Sequence, residues 1–233
     1  MKQWRVAGAL AALGAVVPAP TARADDASGD RVIVMPTATT HPKGTFYASS
    51  TELVLLQVGY AASDTTQLSL TATPPLGEDH IFPLDVTLKS RFVDAPGVRV
   101  AALGSATGIS GLGDGPMFVG RAGGVVQLCF DPACGASASV ATNLLLAGPA
   151  MFAMNGAGVV VPVASWLSLL GEVETVLPLG REVGRFNGLA LAAGARLPYR
   201  TWALDLSLAH LVSASESSSA TIPWLVFTYR LLP

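Results

Sequence analysis

A sparse set of charged residues falls on one parity of an alternating chain: Asp85, Lys89, Arg91, Arg99, Arg121, Glu172, Glu174, Arg196 and Asp205. Glu172 and Glu174 stand two apart, and paired carboxylates can do acid–base work. Salt bridges from them to Arg99, Arg121 or Arg196 are the simpler expectation. Cys129 and Cys134 flank a short turn-like segment containing Asp131-Pro132. Their spacing is not C-x-x-C, so a disulfide that clips a hairpin is expected rather than a redox pair. His41, His80 and His210 have no metal-ligand spacing to one another, so no metal and no cofactor is expected. His210 with Asp205 and either Ser207 or Ser213 supplies the residue types of a hydrolytic triad. That coincidence is the basis of one alternative, a membrane-embedded lipid hydrolase. Residues 108–115 are glycine-rich, but they lack the G-K-[ST] ending of a phosphate loop, and no helical pattern follows them. No spacing here demands catalysis, and the chain is expected not to be an enzyme.

The elements that must carry these residues are strands. In residues 82–92, Phe82, Leu84, Val86, Leu88 and Phe92 share one side of an extended chain, with Asp85, Thr87, Lys89 and Arg91 on the other. Successive side chains of a strand point to opposite faces, so this is an apolar face backed by a charged one. At 3.6 residues per turn the charges would break the apolar stripe of a helix. The same alternation recurs through Phe118 to Phe130 and Trp202 to Leu208. Turn signals separate the runs, including Asp94-Ala95-Pro96-Gly97 and Asp131-Pro132. Residues 45–60 read as one long strand or as two pieces joined at Ser50-Thr51. The outcome is about ten to twelve strands of about ten residues each, the length a tilted strand needs to cross a bilayer.

Composition narrows the class. The chain has 233 residues, 51% hydrophobic and only 13% charged, against about 25% charged in an ordinary soluble domain. With 24 Gly and 16 Pro it has too many breakers for a bundle of spanning helices. A net charge of −2 leaves no basic footprint for nucleic acid. Lys2 and Arg5, an apolar run over residues 6–17 and Ala22-Arg23-Ala24 form a secretory signal peptide. Three segments are therefore expected: a cleaved signal peptide at 1–24, an N-terminal lead-in at 25–43 that contributes at most a first strand, and one barrel domain at 44–233. Residues 132–171 carry no charge, and within them the uncharged stretch Leu144 to Leu170 is long enough for one spanning helix. Gly148-Pro149, Asn155-Gly156 and Pro162 interrupt it, and a helix there would leave the strands on both sides unexplained.

The signal peptide, the alternating strands and a last strand with Phe227 and Tyr229 resemble those of bacterial outer-membrane β-barrel proteins. The resemblance covers residues 44–231 and is one of class, without a family motif. The chain ends Leu231-Leu232-Pro233, where that class usually ends on an aromatic residue. The resemblance implies an all-β fold, a closed antiparallel transmembrane barrel in the outer membrane of a Gram-negative-type bacterium. It also implies the lipid bilayer and the barrel assembly machinery as partners. Tyr60, Phe82, Phe92, Phe118, Phe130, Trp166, Tyr199, Trp202, Trp224 and Tyr229, near strand ends, read as interfacial girdles. The nine charged residues should face the lumen, with Asp85, Lys89 and Arg91 opposite Glu172 and Glu174. The expected role is structural, or a narrow pore for small polar solutes. A secreted soluble barrel binding an apolar ligand is the other alternative.

Overall fold

The computed structural model describes residues 26–52, 54–74, 82–110, 115–179, 188–213 and 218–231. The signal peptide read at 1–24, His80 and residues 111–114 of the glycine-rich stretch lie outside the described residues.

Twelve strands form the wall: β1 (Phe46–Thr51), β2 (Leu55–Ser63), β3 (Thr66–Ala72), β4 (Phe82–Ala95), β5 (Val98–Ser110), β6 (Met117–Cys129), β7 (Ser137–Ala147), β8 (Ala150–Ala164), β9 (Leu167–Pro178), β10 (Gly188–Tyr199), β11 (Trp202–Ser213) and β12 (Ser218–Leu231). Each pairs with its sequence neighbours, and β1 pairs with β12, so the sheet closes with no free edge. Closure satisfies the ladder groups that lipid could not. All the pairings are antiparallel, as hairpin connections require. Residues 45–60 divide into β1 and β2 around Glu52. The uncharged stretch that could have been a helix is strand β8 with parts of β7 and β9. Gly148, in the left-handed region at φ 58°, lets the β7–β8 turn close tightly. Among the described residues no helix is long and apolar enough to cross a membrane.

The alternation read from residues 82–92 is the inside and outside of this wall. Leu84, Val86 and Leu88 are exposed on the outer surface, while Lys89 is 3% exposed. Large apolar side chains cover the outer face around the whole barrel, including Val58, Leu70, Val140, Val161, Leu191 and Leu208. Water does not tolerate such a surface on a monomer, and lipid does. Aromatics gather at the end where the termini of the wall lie. Phe46 and Tyr60 have ring centroids 4.6 Å apart, Tyr199 and Trp202 5.4 Å, and Trp202 and Phe227 6.2 Å. Trp224 is a correction to the girdle expectation. It shares the inward parity of Val226 and Thr228 and packs against the buried cluster.

The two ends differ. At one end four of the five connections are tight, Ser63 to Thr66, Ala95 to Val98, Ala164 to Leu167 and Tyr199 to Trp202, and the fifth, Cys129 to Ser137, is longer. At the other, Ala72 to Phe82, Ser110 to Met117 and Pro178 to Gly188 are longer, while Ala147 to Ala150 is tight. We call these the turn end and the loop end.

The segment before β1 contributes no strand to the wall. Residues 26–41 lie inside the barrel, and Pro42 and Lys43 are exposed where the segment leads into β1. Val32, Ile33, Met35 and Ala38 are almost completely buried there, against Ala101, Leu103, Val125, Ala141, Val160 and Leu170 of the wall, and Ala27 is buried beside them in the same segment. This contact is the hydrophobic core of the molecule. The segment folds back on itself at an isolated bridge between Arg31 and Pro36, with the Val32 N–H donating to the Met35 carbonyl at 2.8 Å.

Candidate functional site: the lumen and its plug

Besides these apolar contacts, charged side chains of the wall grip the plug by its backbone. At its tip, three successive N–H groups point at one carboxylate. Ile33, Val34 and Met35 donate to Glu172 Oε2 at 2.8, 3.1 and 3.0 Å. On the opposite flank, Lys89 Nζ donates to the carbonyls of Asp30, Thr37 and Thr39, the last at 2.7 Å. Arg196 Nη2 donates to the Val32 carbonyl at 2.6 Å and to that of Arg31 at 3.2 Å. Charge-assisted bonds of this kind are about twice as strong as neutral ones, and a buried charge without them would be costly.

Arg196 is the most enclosed of these residues, at 0% exposure. Its Nε and Nη2 bind both oxygens of Asp205 at 2.8 Å, and its Nη1 reaches Asp26 at 3.0 Å. Arg196 and Asp205 are direct cross-strand partners in the β10–β11 hairpin, so this fork lies within the wall itself. Gln67 adds a neutral contact, donating to Asp30 Oδ2 at 3.2 Å and accepting from the His41 N–H at 3.3 Å.

Two glycines of β8 make the room. A Cβ on Gly156 would lie 2.7 Å from Met35 Sδ, and one on Gly158 would lie 3.0 Å from Val32 Cγ2. The plug tip is seated in a depression that any side chain there would fill.

Above the tip, toward the loop end, the lumen is hollow. Val34, 52% exposed, forms part of the floor of a cavity of about 150 Å3 lined by Pro36, Gln57, Thr71, Asp85, Thr87 and Arg121. Asp85 accepts from the Thr107 hydroxyl at 2.7 Å and from that of Thr87. Arg121 makes no ion pair within 4.0 Å among the described residues, and its Nε has no hydrogen-bond partner.

The expected cross-lumen salt bridges are not what the structure forms. Glu172 binds the plug backbone instead of Arg99, Arg121 or Arg196. Glu174, two residues nearer the loop end, forms no ion pair within that distance among the described residues. Lys89 also turns to the plug rather than to the glutamates. The plug stands between β4 and β9 and intercepts both. Arg91 and Arg99 serve the turn end. Both pair with Asp94 at 3.1 Å, and Arg99 also donates to Thr39 Oγ1. Cys129 and Cys134 are joined by a disulfide across the β6–β7 connection, where Asp131 accepts the N–H groups of Ala133 and Gly135.

The triad is dismantled by parity. His210 shares the outward side with Leu206 and Leu208 and bonds Thr221 at 2.8 Å. Asp205 and Ser207 are buried on the inward side, and Ser213 lies on their parity, so the barrel wall separates them from the imidazole. Among the described residues no group of His, Cys, Asp or Glu is arranged to hold a metal.

Sequence reasoning missed several lumen residues. Arg230 is buried on the inward parity of β12, and alternation with Tyr229 and Leu231 would have found it. Asp26, Asp30, Arg31 and His41 belong to the plug, whose sequence has no alternation to place them. Burial pushes the His41 imidazole down to about 4, with Lys89, Arg230 and Arg31 adding to the effect and Asp30 opposing it. Burial would raise the Asp30 carboxyl, but Arg31, Lys89 and His41 together hold it below the usual carboxylate range.

No protein-family model matches the chain, and no curated protein does. Solved structures do match. The KdgM porin, also solved in complex with disordered oligogalacturonate, superposes with a TM-score of 0.57 at 8% identity, over 79% of this chain and 96% of that one. The fold is that of an outer-membrane β-barrel. LpxR from Salmonella typhimurium aligns at a TM-score of 0.47 and 12% identity, over 81% of this chain and all of that one.

Proposed function

We propose that this chain is a non-catalytic outer-membrane β-barrel whose narrow, polar-lined passage is closed by its own N-terminal segment. It is exported through cleavage after Ala24, inserted by the barrel assembly machinery, and oriented with the turn end in the periplasm. The observation that carries this is the grip of Glu172, Lys89 and Arg196 on the backbone of residues 30–39. Three charges from three different strands converge on one segment. That segment fills the turn-side half of the lumen with a hydrophobic core. Short periplasmic turns and longer outer loops support the orientation, and the Cys129–Cys134 disulfide at the turn end suits an oxidising periplasm. The porin likeness contributes the fold; the closed-passage reading comes from this lumen.

Planar-bilayer recording tests it. At pH 7.5 the intact mature protein should give at most rare conductance steps, and a variant lacking residues 26–41 should give them freely. Both must first show heat-modifiable migration on a detergent gel, the sign of a closed barrel. Conduction by the intact protein equal to that of the deletion would rule out the plug as the barrier. A folded deletion variant that stays silent would rule out the passage.

A further inference from the structure

Among the outward side chains of the described strands, His210, whose ring is bonded to Thr221, and Asn155 carry polar nitrogens into the apolar face. Among the described strand residues, the outward parity has no Asp, Glu, Lys or Arg, and Asn155 on β8 is its one amide. Asn155 is exposed within the apolar band, with Met151 and Ala153 on one side along the strand and Ala157 and Val159 on the other. Its register partners are Thr142 on β7 and Thr175 on β9. The Thr142 hydroxyl donates to Asn155 Oδ1 at 2.8 Å, and the Thr175 hydroxyl donates to the Asn155 main-chain carbonyl at 3.4 Å. The side-chain oxygen is thus served, and the two Nδ2 hydrogens have no acceptor among the described residues. Flipping the amide lets Nδ2 donate to Thr142 but leaves its other hydrogen and Oδ1 open. An open donor remains either way, and acyl chains offer nothing to receive it.

A carboxamide is self-complementary: two of them facing each other exchange a pair of N–H···O bonds. A two-fold axis along the membrane normal keeps both copies in the same orientation and brings one surface patch onto itself. The ground around Asn155 is low enough for two walls to meet. Gly124 pairs with Thr142 on one side, and Ala153 and Ala157 flank Asn155 on its own strand. Small residues permit such close approach within a membrane. We propose that this face binds a second copy of the same chain, with Asn155 paired to Asn155 of the partner subunit at the axis.

Cysteine cross-linking in native membranes tests the contact. The native cysteines are bonded to each other, so an introduced thiol is the free one. Under a mild oxidant, Ala157→Cys should form a covalent dimer. Val58→Cys, on β2 and six strands away in a wall of twelve, should not. Adding Asn155→Leu to Ala157→Cys should lower the cross-linked fraction about tenfold, as loss of hydrogen bonds between membrane segments does. That variant keeps its heat-modifiable migration, since leucine suits lipid. The proposal is overturned if folded Ala157→Cys gives no dimer or if Val58→Cys cross-links equally. It also fails if Asn155→Leu changes nothing, or if the product has the mass of a different partner.

Discussion

The turn-side half of the lumen is solid and the loop-side half is hollow, although the same twelve strands build both. Inward charges line each half. In the turn-side half, Lys89, Glu172 and Arg196 meet the backbone of the plug and are buried by it. In the loop-side half, Asp85 is satisfied by the hydroxyls of its own wall, while Arg121 lines the cavity and Glu174 forms no ion pair among the described residues. The difference is one of partner, not of residue type. A charge in a narrow barrel becomes a structural anchor where a chain of amides reaches it and is left to its own wall where none does.

The largest test of that contrast is Arg196→Met. It leaves Asp205 and Asp26 without their shared cation, one of them completely buried. Removing one partner of a buried pair costs about 3–5 kcal/mol, to be read as a lower urea midpoint for unfolding in detergent. A cost near zero would mean that the solid half is not held by its charges. Next, Val86→Arg places a charge against lipid on the outside of the hollow half and should impair assembly by ~2–4 kcal/mol. Thr87→Leu, facing the cavity, should insert normally. The reverse result would turn the wall inside out.

A smaller effect separates the plug from the wall by pH. With the plug docked, His41 titrates at about 4, and a released imidazole titrates near 6.5. A depressed value favours docking fully above pH 6.5, and the benefit is lost as the pH falls toward 4. At pH 5 the loss is about 2 kcal/mol. Asp30, held below its usual range, stays ionised through this window and does not offset the loss. Open events should therefore become more frequent from pH 7.5 to pH 5, and His41→Gln should flatten that response. A passage that opens less often in acid would contradict the docked arrangement. Smallest of all, Asp85→Asn in the hollow half should move stability by no more than about 0.5 kcal/mol, measured in the same urea series as Arg196→Met. If the two variants cost the same, the two halves are not energetically distinct.

The outer and inner faces of the wall were legible because a strand alternates strictly. Once Leu84, Val86 and Leu88 are assigned to lipid, Asp85 and Lys89 have nowhere to go but inward. The Arg196–Asp205 pair was also within reach. With the turn at Tyr199 and Trp202, counting back along the hairpin sets the two residues opposite each other. Thr142 and Asn155 follow the same way from the turn at Gly148.

Residues 26–43 were not legible. Val32 to Met35 looks like any short apolar run, and nothing local says whether it joins a sheet or fills one. Only the closed barrel decided it, by enclosing a depression at Gly156 and Gly158 and aiming Glu172, Lys89 and Arg196 at one place. The partner of Glu172 is a set of main-chain N–H groups, which every residue but proline carries and no sequence pattern marks. The sequence by itself determined the wall, because alternation is a local property of the chain. The filling of the lumen was left to tertiary structure, because hydrogen bonds between side chains and a distant backbone depend on closure alone.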